Sequence, residues 1–408
     1  MSPRTRLTVA VLGLVGWVGL VYLGLRLYTT TPPTAAFDLE LLLRAGRDVA
    51  AGRSPYDPAM LAGAAPVAER LFYSYPPVVA QAMALVAAIP SPVTFVAWTL
   101  AAIAGWAAVA AALARRFGGA AAWTPAEVAG SAIALTPLLF PFAIGLLFGN
   151  LDVFFPLLYG LLLLGVVPLA SRAASAAGGV PAAIAGITKL HPGSLGLWLL
   201  VRAVRSAEAR RALAAAIVAG VAILAVSLAV GGTGPWADYV TVVRAGSGAD
   251  LVDPRNGGPA AQLAMLLRGG GAEAESLART LQIPVTLLAL AATACAAWWL
   301  EDVVASLAWG ATASLVILPV TWYHYPSALL PFALVALLRA RGTAAARTTT
   351  ALLVVAGVVA AIAIAWLPLL WVAIGLVLGA VHVSGRVAAP EAVADRRPGD
   401  AAPMVDPT

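Results

Sequence analysis

The sequence predicts an all-α protein that crosses a membrane many times, and three features of the chain indicate this fold class. Hydrophobic side chains make up 61% of the 408 residues, whereas charged side chains make up only 11%. Soluble domains carry about 25% charged residues. The mean hydropathy is +0.91, and apolar runs near the roughly 20 residues of a membrane-spanning helix recur along the chain. These features exclude a soluble globular fold.

Eleven apolar runs have spanning or near-spanning length. They lie at 7–28, 92–114, 124–146, 151–168, 180–203, 211–231, 284–300, 303–320, 325–338, 348–365 and 366–385. The first run follows Arg4 and Arg6 and is long enough to cross a bilayer, so we interpret it as a helix rather than a cleaved signal peptide. Run 180–203 contains Leu190-His191-Pro192-Gly193, which predicts a break into two short helices. We therefore expect eleven or twelve crossings.

The arginine residues indicate the orientation, because short cytoplasmic loops carry an excess of Lys and Arg. The chain has 25 Lys+Arg against 19 Asp+Glu and a net charge of +6. All the basic loops are cytoplasmic at once if run 180–203 forms a hairpin. Each arm of about ten residues is then too short for ~30 Å of hydrocarbon, which predicts a lateral notch for a lipid. This charge pattern predicts a multi-pass plasma-membrane protein and no nucleic-acid partner.

With this orientation, residues 1–385 form a single transmembrane domain with two long polar loops outside the cytoplasm. The first outer loop is 29–91 and the second is 232–283. An apolar run to Ile89 in the first loop is predicted to be an interfacial helix. The tail 386–408 is rich in Pro, Asp and Arg, and is predicted to be disordered and cytoplasmic.

Asp38 is the first acidic residue after the first helix, and it lies close to the predicted membrane surface. A carboxylate in this place can serve as general base for a hydroxyl nucleophile. However, Asp followed by Leu-Glu-Leu-Leu-Leu is also typical of a helix N-cap, and position alone favours the cap.

Lys189 is the only lysine in the chain, and it lies near the end of an apolar run. A cation beside a short-helix notch suits the phosphate of a lipid carrier. A lysine that extends towards the lipid head groups is the alternative.

The only cysteine, Cys295, lies inside an apolar run. Neither an intramolecular disulfide nor a cysteine metal site is therefore expected.

Other polar residues fall where the predicted helices end on the outer side. Asn150 and Asp152 could hydrogen-bond a sugar, although Gly-Asn-Leu-Asp is also typical of a plain turn. His324 stands in Trp-Tyr-His-Tyr-Pro and could donate a hydrogen bond or carry a proton, but interfacial aromatic belts contain such residues as well. Tyr75 precedes two prolines, and this segment is interpreted as extended geometry that leads into the interfacial helix.

The second outer loop carries aromatic, acidic and amide side chains of the kinds that sugar-binding clefts use. The same residue types are common in ordinary loops. These residues are Trp236, Asp238, Tyr239, Arg244, Asp253, Arg255 and Asn256.

Taken together and in order, these residues resemble glycosyltransferase family 87, a group of membrane enzymes that use polyprenol-phosphate sugars and have the GT-C fold. The resemblance covers roughly residues 1–340. Its elements are Asp38; Gly52, Pro55 and Tyr56; Tyr75-Pro76-Pro77; Gly149-Asn150; Lys189 with Pro192; and His324 with Tyr325-Pro326. Where the family often has Asn-Gln-Ser in the second outer loop, this chain has Asn256-Gly257-Gly258, which loses two polar groups.

The resemblance implies an inverting transferase that moves a sugar from a polyprenyl-phosphate donor to an extracytoplasmic glycolipid or glycan. Asp38 would be the general base. The donor phosphate would be bound by Lys189, His324 and Arg255, and the sugar and acceptor cleft by Tyr56, Tyr75, Asn150, Asp152 and Asn256. Neither a metal nor a cofactor is implied. Mannose is favoured over arabinofuranose, because similar members with a histidine at the position of His324 use mannose more often.

A flippase for lipid-linked sugars is the strongest alternative from another class, since it also needs many helices and a lipid notch. Transporters usually place ionisable groups near the bilayer midplane. Here the polar residues gather at the predicted outer interface, which favours chemistry on that face.

Overall fold

The structure is a computed structural model that describes residues 1–30, 34–64, 72–119, 123–246 and 249–394. The fold is all-helical, with 78% of the chain in helices and no strand within these ranges. The α-helices are α1 (Pro3–Tyr28), α2 (Phe37–Ala50), α3 (Pro58–Leu61), α4 (Pro77–Ala84), α5 (Ser91–Phe117), α6 (Pro125–Leu135), α7 (Phe140–Phe148), α8 (Phe155–Val166), α9 (Arg172–Thr188), α10 (Ser194–Ala203), α11 (Ala207–Gly231), α12 (Gly234–Gly246), α13 (Pro259–Arg268), α14 (Ala272–Trp299), α15 (Val303–Val316), α16 (Leu330–Ala340), α17 (Ala346–Ile362) and α18 (Leu369–Ala394). Short 3₁₀ turns lie at Thr136–Leu138, Leu151–Phe154, His191–Gly193 and Tyr325–Leu329.

Five of the described helices are long and apolar enough to span a bilayer: α1, α5, α11, α14 and the Leu369–Arg386 part of α18. A sixth span results if α6 and α7, which meet at a bend of 74°, count as one. Four shorter apolar helices lie at Leu151–Val166, Val303–Val316, Tyr325–Ala340 and Ala346–Ile362. The predicted all-α, polytopic membrane fold is therefore confirmed. The number of eleven or twelve crossings stays a prediction.

Helices α1 and α11 lie at the periphery, because only 6% of the residues in each apolar stretch are buried by protein. Exposed apolar faces of this length need lipid around them. The main core lies between α5, α7, α8, α10, α15 and α16, and it contains Trp198, Tyr159, Phe142 and Phe332, each 0–1% exposed.

The predicted break in run 180–203 is found at His191–Gly193, between α9 and α10. The expected first arm of about ten residues is wrong, because α9 begins at Arg172 and has 17 residues. Residues 172–179, which precede the predicted run, consist of Arg, Ala, Ser and Gly, and α9 packs closely against α8. A Cβ at Gly178 would lie 2.7 Å from the Cα of Gly165 on α8, so glycine permits this helix contact.

Two helices extend beyond their predicted boundaries. α14 begins at Ala272, within the predicted second outer loop of 232–283, because polar residues continue the helix beyond its apolar part. Glu273 and Glu275 lie in its first turn, where negative charge is favourable at a helix N-terminus. α18 continues to Ala394, into the predicted disordered tail of 386–408. Residues 395–408 of that tail lie outside the described residues.

The predicted first outer loop is folded around a second core, formed by α2, α4 and neighbouring aromatic residues. The helical stretch expected after Phe37 is α2, and the expected interfacial helix is α4, which ends at Ala84 rather than Ile89. α2 and α4 approach closely at Gly46, where an added Cβ would lie 2.6 Å from the carbonyl carbon of Met83. This packing fixes the position of α2 and of the acidic residue at its start.

Candidate functional site

Asp38 is the second residue of α2, not its N-cap. The N-cap is Ala36, which has φ +58° and makes no side-chain capping bond. The start of α2 is fixed on the end of α7, where the N–H of Ala36 donates to the carbonyl of Leu147 at 2.8 Å. The rings of Phe37 and Phe148 pack with centroids 4.5 Å apart. The N-cap alternative is therefore wrong, and the carboxylate of Asp38 is available for other contacts.

Asn150 connects α2 to the turn after α7. Its Nδ2 donates a 2.6 Å hydrogen bond to Oδ2 of Asp38, and its Oδ1 accepts one of 2.9 Å from the N–H of Asp152. The second bond fixes which end of the amide faces Asp38. Gly149, at φ +67°, permits the turn because a Cβ there would lie 2.6 Å from Cβ of Leu39. Asn150 therefore orients one oxygen of Asp38.

Lys189 and Asp152 form a buried ion pair, although they are 37 positions apart. Nζ of Lys189 donates to both carboxylate oxygens, at 2.9 and 2.8 Å. The side chain of Asp152 is 1% exposed and that of Lys189 is 12% exposed. The alternative of a lysine extended towards lipid head groups is wrong, because this ammonium group is held inside the protein.

His324 also contacts the carboxylate of Asp152. Its Nε2 is 3.3 Å from Oδ2 of Asp152, and its side chain is 8% exposed. The backbone places it immediately before the 3₁₀ turn Tyr325–Leu329, whose Ser327 hydroxyl donates to the carbonyl of Asp152 at 3.4 Å. Three separate segments of the chain therefore meet at Asp152.

Aromatic rings surround the ammonium group of Lys189. Nζ lies 4.0 Å from the centre of the Tyr325 ring and 5.6 Å from that of Tyr75, within the range of cation–π attraction. The ring of His191 stacks on the ring of Tyr325, with the two ring centres 5.6 Å apart. The sequence places Tyr325 in an aromatic segment typical of an interfacial belt, and gives no signal that its ring contacts Lys189.

The pKa of the Asp38 carboxyl is raised above its ordinary value. Burial is the largest cause, and the charges of His324 and Lys189 and the hydrogen bond from Asn150 oppose it. These groups are thus close enough to Asp38 to interact electrostatically with it. A carboxylate with a raised pKa is a stronger base than a free one, which suits proton abstraction.

Two predicted cleft tyrosines have different positions. Tyr56 is 2% exposed, and its hydroxyl donates to the carbonyl of Tyr75 at 3.0 Å. The pKa of the Tyr56 hydroxyl is raised, mainly by burial. The ring of Tyr56 lies inside the second core, and its contact with the sugar and acceptor stays a prediction. Tyr56 supports the backbone that presents the Tyr75 ring to Lys189.

Asn256 is also buried, at 0% exposure, and its amide is fully used. Nδ2 donates to the carbonyls of Leu251 and Pro319, at 3.0 and 2.9 Å. Oδ1 accepts from the N–H groups of Gly258 and Thr321, at 2.7 and 2.9 Å. These four bonds satisfy the amide, and a contact of Asn256 with sugar stays a prediction. Asn256 joins the second polar loop to the segment that precedes His324.

Arg255 lies beside the same segment. Its guanidinium pairs with Asp253 at 2.6 Å and lies 6.0 Å from the centre of the Trp322 ring. The hydrogen bond from Arg255 lowers the pKa of the Asp253 carboxyl. A phosphate contact by Arg255 stays a prediction. No group of three His, Cys, Asp or Glu side chains suited to a metal occurs in the described part of the chain.

The comparison with known families shows which family the chain belongs to. The sequence model of glycosyltransferase family 87 matches residues 73–319, about three fifths of the chain. The chain belongs to glycosyltransferase family 87. No curated protein matches it.

The matched region contains part of the cluster around Asp152. It includes Asn150, Asp152 and Lys189, whereas Asp38 precedes it and His324 follows it. The contacts from Asn150 to Asp38 and from Asp152 to His324 connect both residues to the matched region. The resemblance found in the sequence is therefore confirmed at the level of the family, and the protein is a membrane glycosyltransferase.

Proposed function

We propose that this glycosyltransferase moves a sugar from a polyprenyl-phosphate donor to a hydroxyl group of a glycolipid or glycan outside the cytoplasm, with inversion at the anomeric carbon. The observation that carries the proposal is the continuous turn Asn150-Leu151-Asp152. One end of this turn holds the carboxylate Asp38, and the other holds the cation Lys189. A base and a phosphate-binding group are thus held by residues two positions apart.

Asp38 acts as the general base. One of its oxygens accepts the hydrogen bond from Asn150, and the other accepts the proton of the acceptor hydroxyl. The hydroxyl oxygen forms a bond to the anomeric carbon as the bond from that carbon to the phosphate oxygen breaks. The proton ends on Asp38, and the electron pair leaves with the polyprenyl phosphate. The raised pKa of Asp38 favours this transfer.

Lys189 binds the donor phosphate and stabilises the charge that develops on it. An ammonium group has three N–H donors. Two of them face Asp152, and the flexible side chain can turn the group towards a phosphate oxygen. His324 is the proposed second phosphate contact, because its Nε2 lies 3.3 Å from the same carboxylate oxygen that Lys189 contacts. Preorganised donors of this kind are among the largest contributors to catalysis where negative charge builds up.

The lipid part of the donor requires access from the bilayer. Lys189 lies between α9 and the 3₁₀ turn His191–Gly193, where a hydrophobic helix pair breaks. A polyprenyl chain that lies along the lipid-facing surface can bring its phosphate to such a break. We propose the plasma membrane as the location and the extracytoplasmic side as the side of the reaction, on the arginine distribution. Mannose is the proposed sugar, on the family resemblance.

Direct transfer with purified protein tests the proposal. Polyprenyl-phosphate-mannose with labelled sugar, the arabinofuranose analogue and a nucleotide sugar are offered separately with a membrane glycolipid extract. Label should move to glycolipid from the lipid-linked mannose. Transfer from the nucleotide sugar alone would refute the donor class. Movement of lipid-linked mannose across reconstituted vesicles without transfer would support a flippase instead.

A further inference from the structure

We propose that Asp152 is an internal counter-anion for Lys189, which it binds when the phosphate site is empty and binds again when the polyprenyl-phosphate product leaves. Asp152 does not touch the sugar in this account, in contrast to its predicted place in the sugar cleft. It acts through Lys189 and is therefore a positioning residue. The inference rests on the proposed function, because it assigns the phosphate to Lys189.

The geometry makes Asp152 the fixed partner and Lys189 the mobile one. The backbone N–H of Asp152 is bound by Asn150, and its carbonyl accepts the hydroxyl of Ser327. Its side chain is short and 1% exposed. Lys189 has a flexible four-carbon side chain and keeps 12% of its side chain exposed. The ammonium group can thus turn towards a ligand while the carboxylate stays in place.

Charge balance gives the pair a function in the reaction cycle. A buried carboxylate or ammonium group without a partner is costly, so each stabilises the other when the site is empty. The donor phosphate is a diester with one negative charge. Cleavage converts it to a monoester, which carries more negative charge at neutral pH. Lys189 would therefore hold the product more tightly than the donor. The fixed charge of Asp152 opposes this and offers Lys189 another partner, which promotes release.

A purely structural role for Asp152 predicts the opposite change in phosphate affinity. The direction of that change therefore distinguishes the two roles. If Asp152 only held Lys189 and His324 in place, its loss would weaken phosphate binding. If it competes with phosphate for Lys189, removal of its charge strengthens phosphate binding. The change Asp152→Asn suits the test, because the amide keeps the size of the side chain and one oxygen that can accept from Lys189.

The experiment measures the dissociation constant of farnesyl phosphate, as a short product analogue, together with kcat and donor KM, for the purified wild type and Asp152→Asn. We expect farnesyl phosphate to bind about tenfold more tightly to Asp152→Asn, since a unit charge a few ångströms away opposes binding in the wild type. We also expect kcat and the donor KM both to fall, because product release becomes slow and the phosphate binds more tightly. Unchanged or weaker binding of farnesyl phosphate would overturn the proposal.

Three further variants complete the test. Asp302→Asn removes the same charge from a second ion pair, with Arg339 at 2.9 Å, and should leave farnesyl phosphate binding unchanged. If Asp152→Asn does not purify as a folded protein, Asp152→Ser also removes the charge and must show the same tightening. Lys189→Ala distinguishes failure of the proposed phosphate site from failure of the counter-anion proposal. If Lys189→Ala leaves both donor and product binding intact, the proposed phosphate site fails. If it weakens both while Asp152→Asn tightens nothing, only the counter-anion proposal fails.

Discussion

The change Asn150→Ala should move the pH dependence of catalysis in a predictable direction. Asn150 donates a 2.6 Å hydrogen bond to Asp38, and this bond stabilises the ionised form of the carboxyl and lowers its pKa. Its loss therefore raises the pKa of Asp38 further. Because the general base must be ionised to accept a proton, the acidic limb of kcat/KM should move to higher pH.

The size of this shift follows from the strength of the hydrogen bond. Hydrogen bonds to charged groups contribute about 1.5–3 kcal/mol, and one pKa unit corresponds to about 1.4 kcal/mol. We therefore expect a shift of roughly one to two pH units in Asn150→Ala. The change Asn150→Asp keeps an acceptor for the N–H of Asp152 but places a second carboxylate beside Asp38. It should move the limb at least as far, since like charges raise the pKa of an acid.

The assay is sugar transfer at low donor concentration, measured from acidic to neutral pH in the wild type and each variant. Asn256→Ala is the control, because Asn256 is another buried asparagine whose hydrogen bonds go to backbone groups rather than to Asp38. Its remaining activity should show the wild-type pH limb. An unchanged limb in an active Asn150→Ala enzyme would refute the assignment of Asp38 as the titrating base with Asn150 as its partner.

Three other changes have expected outcomes. Lys189→Ala should raise the dissociation constant of the lipid-linked donor at least tenfold in equilibrium binding, because it removes a charge-assisted contact to phosphate; an unchanged constant would contradict this role. Asn256→Ala removes the hydrogen-bond partner of four backbone groups, three of them in buried bonds, which costs at least about 3 kcal/mol. A melting temperature equal to that of the wild type in detergent would argue against this. Gly46→Ala should also lower the melting temperature, since its Cβ would lie 2.6 Å from the backbone of Met83. Gly52→Ala is the comparison without steric overlap. It has open space around its Cβ and measures only the cost of an alanine at φ +73°.

Much of the fold can be predicted from local properties of the sequence. Hydropathy finds the helices, and Pro192 with Gly193 marks the break between α9 and α10, because proline disrupts helical hydrogen bonding. Hydropathy does not locate the ends of helices that continue into polar sequence. The start of α14 at Ala272 shows this, because its first turn carries two glutamates. The first eight residues of α9, 172–179, are missed for a similar reason, since they include an arginine, a serine and two glycines.

The candidate site is only partly predictable. Asp38 and Lys189 stand out because each is unusual for its place in an apolar chain. Their partners do not stand out, because the contact of Lys189 with Asp152 depends on how the ends of α7 and α9 meet in space. The burial of Tyr56 and Asn256 could not be predicted for a related reason. A polar side chain in a loop can point to solvent or into the protein, and the sequence does not distinguish the two.

The role of Asp38 as general base is tested most directly by transfer of radiolabelled mannose from polyprenyl phosphate to glycolipid. The wild type is compared with Asp38→Asn and Glu40→Gln. Glu40 lies in the same first turn of α2 but pairs with Arg47 and Ser91, so it controls for the loss of an acid from that turn. We expect Asp38→Asn to bind the donor with wild-type affinity and to transfer no label, and Glu40→Gln to remain active. Normal transfer by Asp38→Asn would contradict the account.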